Sequence, residues 1–140
     1  TVDRIWCAHD LGRVLHREIA EGQIEGCVSM GIGEALWEEQ RYEDGRLRAP
    51  SILEYRVPTV HDHPEIISIL VESHDPGGPF GAKEVGEGPQ LSTVPAIANA
   101  IYDAVGVRIT QLPIRPEHVL QLMKEKKKEQ EAAPDVMLRK

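Results

Sequence analysis

Asp75-Pro-Gly-Gly-Pro-Phe-Gly-Ala-Lys-Glu-Val-Gly-Glu-Gly-Pro89 cannot be regular structure. It holds five glycines and three prolines; proline removes a backbone donor and glycine weakens a helix or strand interior. The stretch therefore separates two elements of different kind. Before it, Ile66-Ile-Ser-Ile-Leu-Val71 is short, β-branched and bounded by Pro64, which predicts a strand. After it, Ser92 is a good N-cap for a helix whose Val94, Ile97, Ala98, Ile101 and Val105 form an apolar stripe, with Gly106 as its stop.

Working outward, the upstream chain turns helical from about Arg17 to Gln40. Ile24, Cys27, Val28, Gly31 and Ala35 recur at three- and four-residue spacing and share a face. Gly22, Gly26, Gly31 and Gly33 interrupt that helix, each costing about 1 kcal/mol relative to alanine. Such weakening suits a backbone that something approaches closely, either another helix or a ligand. Arg4-Ile-Trp-Cys-Ala8 is expected to be a buried strand. Glu43-Asp-Gly-Arg46 has turn chemistry, and Pro50, Pro58 and Pro64 argue against a long helix there. Downstream, Val107 to Leu112 reads as extended, and Pro116 opens a last helix carrying Val119, Leu120 and Met123. Strands and helices without strict βαβ alternation predict an α+β domain.

Composition limits the function classes. At 140 residues, one domain is expected, with a core mostly aliphatic because only six residues are Phe, Trp or Tyr. A net charge of −7 argues against nucleic acid as the main partner. Residues 124–140 carry six basic and four acidic groups, leaving −9 on residues 1–123, so the end reads as a charged helix end or flexible tail. No run approaches the roughly 20 apolar residues of a membrane helix, and no apolar signal region opens the chain. An opening Thr1 is expected of a fragment or processed product. Cys7 and Cys27 make neither a disulfide framework nor a zinc site, and reduced thiols fit a cytoplasmic protein.

Chemistry is expected in the 75–89 loop. Glycines let successive N–H groups converge on a ligand, a following helix start adds partial positive charge, and prolines limit disorder. A carboxylate held there is a candidate proton acceptor, and on chemistry alone Glu84 and Glu87 are equal candidates. The same features also describe a rigid surface turn. Lys83 either holds negative charge near a site or pairs with a neighbouring carboxylate. It is followed by Glu84, so no nucleoside-triphosphate loop is present. Gly31-Ile-Gly33 lacks a third glycine and is no dinucleotide fingerprint, and His61-Asp-His63 reads as a solvated loop rather than a metal site.

Gly81-Ala-Lys-Glu-Val-Gly-Glu-Gly-Pro89 resembles the active-site loop of the xanthine oxidase and aldehyde oxidoreductase family of molybdenum hydroxylases. Glu21-Gly-Gln-Ile-Glu-Gly-Cys-Val-Ser-Met-Gly-Ile-Gly-Glu-Ala-Leu-Trp-Glu-Glu39 resembles that family's glycine-interrupted helix, and Tyr55-Arg-Val-Pro-Thr59 its intervening segment. The resemblance covers roughly residues 2–123. It departs at Gly26-Cys27, where many relatives have two glycines, and at Leu15-His16, where many have Asn-Pro.

The resemblance implies the C-terminal portion of a molybdopterin-binding domain over 1–123. It implies Glu87 as catalytic base beside molybdenum, with no residue ligating the metal directly. Gln23 is implied to hydrogen-bond the pterin, with Gly86 and Lys83 also against the cofactor. That cofactor is expected to be molybdenum-molybdopterin in its cytosine dinucleotide form. Iron–sulfur clusters and FAD are expected on partner domains or subunits, together with the remaining molybdopterin-binding chain. The implied activity is hydroxylation of an N-heterocycle or aldehyde. Two other readings stay open: reductive dehydroxylation of the 4-hydroxybenzoyl-CoA reductase type, and a separately encoded module for cofactor binding or assembly.

Overall fold

A computed structural model describes residues 1–132. In chain order the elements are β1 (Arg4–Asp10), α1 (Arg17–Leu36), β2 (Tyr42–Glu43), β3 (Arg46–Leu47), β4 (Glu65–Val71), α2 (Gly88–Val105) and α3 (Pro116–Ala132). A short 3₁₀ turn at Pro79–Gly81 lies between β4 and α2. The class is α+β, as expected. β1 and β4 pair in parallel, in register from Arg4 opposite Glu65 to Asp10 opposite Val71. Parallel pairing needs a crossover, and α1 with the β2–β3 hairpin lies inside it. Asp44 (φ 48°) and Gly45 (φ 75°) turn that hairpin, because a two-residue turn of this kind needs positive φ at both centres.

The core lies on one face of the sheet. Ile24, Val28, Ile32 and Ala35 of α1 pack with Cys7 of β1, Ile97 of α2 and Ile114. Ile24, Val28 and Ile32 are at most 1% exposed, and each such side chain contributes about 1.5–3 kcal/mol. α1 and α2 touch at Gly31, where a Cβ would stand 2.6 Å from Thr93 Cβ. His16 caps α1 by accepting the Ile19 N–H at 3.3 Å. The helix ends at Leu36 rather than Gln40, because the Trp37 and Glu38 N–H groups both turn back onto the Gly33 carbonyl.

One expectation needs correction. β1 is half-buried rather than buried: Cys7 faces the helices, while Trp6 is 60% exposed on the opposite face, which also carries the exposed Ile69 and Val71 of β4. No layer among the described residues covers that face, although parallel sheets are ordinarily covered on both. Val107 to Leu112 lies in irregular structure between α2 and α3. Val107 and Ile114 are buried individually, and Ile114 N–H donates to the Ala35 carbonyl at 2.6 Å. The third helix continues past Met123 through the lysine run to Ala132. Lys127–Glu131 is an i,i+4 ion pair, and Lys126 Nζ donates to the Gly106 carbonyl at 2.8 Å. Of the segment read as a charged helix end or flexible tail, 124–132 is helix end, and 133–140 lie outside the described residues. Among the described residues no helix is long and apolar enough to cross a membrane.

Candidate active site

Both parallel strands deliver their C-terminal ends to the base of the glycine-proline loop, where open α/β sheets commonly place ligands. Leu11 N–H donates to Val71 O at 2.9 Å, Lys83 N–H to Leu11 O at 2.7 Å, and His74 N–H to Gly12 O at 2.7 Å. The Asp10 carboxylate accepts Lys83 Nζ (2.7 Å), Ser73 Oγ (2.7 Å) and the Gly12 N–H (2.9 Å). The Lys83 ammonium, then the Gly12 N–H and Ser73 hydroxyl, hold Asp10 well below the usual carboxylate range, and Asp10 raises Lys83 in return. Gly12 (φ 66°) is required where the two segments cross, since a Cβ there would run into the Gly81 carbonyl and Lys83. Of the two sequence readings of Lys83, the geometry contains the ion pair.

Beyond this anchor the chain passes Phe80, held at φ 56° and 80% exposed, and reaches Glu84–Gly88. α2 begins at Gly88, with Glu87 as its N-cap and Pro89 in the first turn, where a missing N–H costs nothing. Ser92 is therefore not the cap; its hydroxyl donates to Pro89 O inside the helix. Glu87 is exposed and makes no capping hydrogen bond. It borders an open cleft of about 910 Å³ with Glu34, Glu84, Gly86, Gly88, Gln90, Leu91 and Val94.

Geometry separates the two glutamates. Glu84 is turned into its own loop: Oε2 lies 3.4 Å from the Glu87 N–H, and Oε1 lies 3.8 Å from His9 Nε2. Glu87 has no such partner among the described residues. The backbone around it is held from below. The Cys27 thiol of α1 donates to Gly86 O at 2.7 Å, and His9 Nε2 of β1 donates to Glu84 O at 3.1 Å. Neither residue was marked by sequence reasoning. Cys27 stood out only as a departure from relatives, and His9 carried no signal before β1 was set beside the loop.

Gln23 is exposed on α1 one helical turn before Cys27, so it neighbours the contact that holds the Glu87 loop. The four glycines of α1 divide sharply. Gly31 and Gly33 lie where a Cβ would collide with Thr93 and Glu38, whereas Gly22 and Gly26 have nothing within 4 Å of a Cβ. Gly22 and Gly26 lie one turn apart and leave a strip of the helix surface open, with the exposed Gln23 beside it. That fits an extended planar ligand with hydrogen-bonding edges, as a pterin is. His63 is occupied elsewhere, hydrogen-bonded to Ser29 Oγ at 2.9 Å.

Comparison with known proteins bears on the family and the fold. Residues 1–64 match the family described as molybdopterin cofactor-binding domain. The chain is 40% identical over 121 residues to the xanthine dehydrogenase molybdenum-binding subunit of Escherichia coli O157:H7, covering 85% of this chain and 16% of that protein. It is 41% identical over 125 residues to the aldehyde oxidoreductase of Megalodesulfovibrio gigas, covering 89% and 14%. The crystal structure of quinoline 2-oxidoreductase from Pseudomonas putida 86 superposes with a TM-score of 0.80 at 31% identity, over 88% of this chain and 16% of that one. The chain thus spans well under a fifth of the proteins it matches. It belongs to the xanthine oxidase family, as part of that family's molybdopterin-binding domain.

Proposed function

We propose that this chain supplies the catalytic-base side of a molybdenum active site that hydroxylates an N-heterocycle or aldehyde with oxygen from water. The observation that carries this reading is the placement of Glu87. An exposed, unpaired carboxylate at a helix N-cap borders an open cleft, on a backbone tied down from two elements. Molybdenum-molybdopterin, in its cytosine dinucleotide form, supplies the two-electron redox chemistry and an acidified hydroxyl when bound. Gln23 would hydrogen-bond the pterin, with Gly22 and Gly26 leaving the helix surface beside it open, and the Gly86 backbone would line the cofactor. Lys83 keeps the loop at the strand ends through its ion pair with Asp10, close in sequence to the Gly86 backbone that would line the cofactor. Glu87 receives the proton at its carboxylate without ligating the metal.

Two cysteines, both buried, are too few for an iron–sulfur cluster, so those clusters and FAD sit on partner domains or subunits. The remaining molybdopterin-binding portion is the nearest partner, and the uncovered apolar face of β1 and β4 is suited to receive it. Residues 1–123 form this portion's contribution to the site, and the charged helix beyond lies outside it.

The test is a pair of variants in the assembled enzyme. Glu87→Gln is nearly isosteric but cannot take the proton; it should slow molybdenum reduction by substrate at least about 100-fold with metal and pterin retained. Gln23→Ala should lower pterin and molybdenum content while sparing the chemical step of the loaded fraction, because truncation leaves ligand groups unpaired at about 1–3 kcal/mol. Near-normal reduction in Glu87→Gln would sink the base assignment. Substrate profiling of the same complex separates hydroxylation from reductive dehydroxylation, and co-purification with a longer molybdenum-binding chain, together with metal analysis, separates both from an assembly module.

A further inference from the structure

Glu87 sits between two glycines, Gly86 and Gly88, and so has a backbone freer than most. Catalytic groups tolerate little such freedom, since a displacement of about 1 Å can cost about 100-fold in rate. The two carbonyls flanking Val85 are the points where that freedom is removed. Gly86 O accepts the Cys27 thiol at 2.7 Å, and Glu84 O accepts His9 Nε2 at 3.1 Å. The clamps come from different elements, α1 and β1, so together they fix the peptide against both translation and rotation. Cys27 is 1% exposed among the core residues of α1, and His9 lies against Gly88, where a Cβ would stand 2.6 Å from its Cε1.

The donor chemistry is consistent with this. A carbonyl oxygen only accepts, so both side chains must bring the hydrogen. Burial pushes the Cys27 thiol above its ordinary range; the Gln90 N–H opposes this, and the Glu84 and Glu87 carboxylates add to it. The sulfur thus keeps its proton at neutral pH. His9 donates from Nε2 in one neutral tautomer and in the imidazolium, so the contact does not depend on its charge.

The geometry points to Cys27 and His9 as positioning residues that lock the peptide units around Val85 and thereby aim the Glu87 carboxylate. Neither touches the reacting atoms. This rests on the reading of Glu87 as the base, and the experiment separates the two.

In the assembled enzyme, Cys27→Ala should slow the limiting rate of molybdenum reduction by about 10- to 100-fold, with molybdenum and pterin content unchanged. Cys27→Ser keeps a donor at that position and should restore most of the rate. His9→Ala and His9→Gln should repeat the pattern, giving an independent reading if one alanine variant fails to load cofactor. The decisive arm is the Glu87→Gln background. A clamp that works through Glu87 has nothing left to aim, so Cys27→Ala should add less than about twofold there, whereas an independent effect would add in full. Full additivity, or wild-type rates in both alanine variants while Glu87→Gln is impaired, overturns the clamps alone. A wild-type rate in Glu87→Gln overturns the base reading, and with it the purpose of the clamps.

Discussion

One substitution made at three glycines of α1 should give opposite results. Gly22, Gly26 and Gly31 all lie inside the helix, so replacing any of them with alanine gains about 1 kcal/mol of helix propensity. At Gly22 and Gly26 nothing opposes the gain, because no atom lies within 4 Å of the added Cβ. At Gly31 the added carbon would meet Thr93 Cβ at 2.6 Å, Thr93 Cγ2 at 2.9 Å and Gln90 O at 3.1 Å, so α2 must move. Overpacking of that kind costs about 1–3 kcal/mol, which cancels or exceeds the propensity gain. Thermal unfolding of the 140-residue chain should therefore show Gly22→Ala and Gly26→Ala melting higher and Gly31→Ala melting at or below the parent. At this length 1 kcal/mol corresponds to about 3–4 °C. In the assembled enzyme the order should reverse for one of them: Gly26→Ala should load less pterin despite its more stable chain, since the open face is the side on which the pterin is proposed to lie. A lower melting temperature for Gly26→Ala in the lone chain, or a higher one for Gly31→Ala, would refute this division of the glycines.

The Asp10–Lys83 link predicts a pH window. Asp10 is lowered in the fold, so its contribution is complete above the ordinary aspartate pKa of about 3.9 and is lost as pH falls through the folded value. Lys83 is raised, so its share is complete below about 10.4 and is lost as pH rises through its folded value. The melting difference between parent and Asp10→Asn should stay constant from about pH 5 to 9 and shrink below about pH 4; a difference that shrinks near neutrality would exclude the link. On the uncovered sheet face, Ile69→Lys should leave the lone chain's stability within about 0.5 kcal/mol yet prevent assembly with the remaining molybdopterin-binding portion, read by co-purification. Intact assembly would show that the partner docks elsewhere.

Local chemistry made most elements legible. The stripe of α2, the core face of α1, the strand at β4 and the Asp44-Gly45 turn all follow from periodicity and turn residues, which act over a few positions. The boundaries that shifted did so through local backbone hydrogen bonding or because of proline. α1 stopped early when two N–H groups turned onto Gly33 O, and Pro89 drew the start of α2 back to Glu87. That second shift matters for the site, because it moved Glu87 from a loop to a helix start.

The residues alone determined the α+β class, the helix faces and, through the motif at 81–89, the family and its candidate base. They left Glu84 and Glu87 chemically equal, and left open whether α1's glycines serve a helix or a ligand. Only the folded chain divided them, assigning Gly31 to α2 and leaving Gly22 and Gly26 open. Only the fold brought His9, Cys27 and Asp10 to a loop distant from them in sequence. The reason is physical: periodicity records which face of an element is apolar, whereas a contact between distant residues depends on how those faces are stacked.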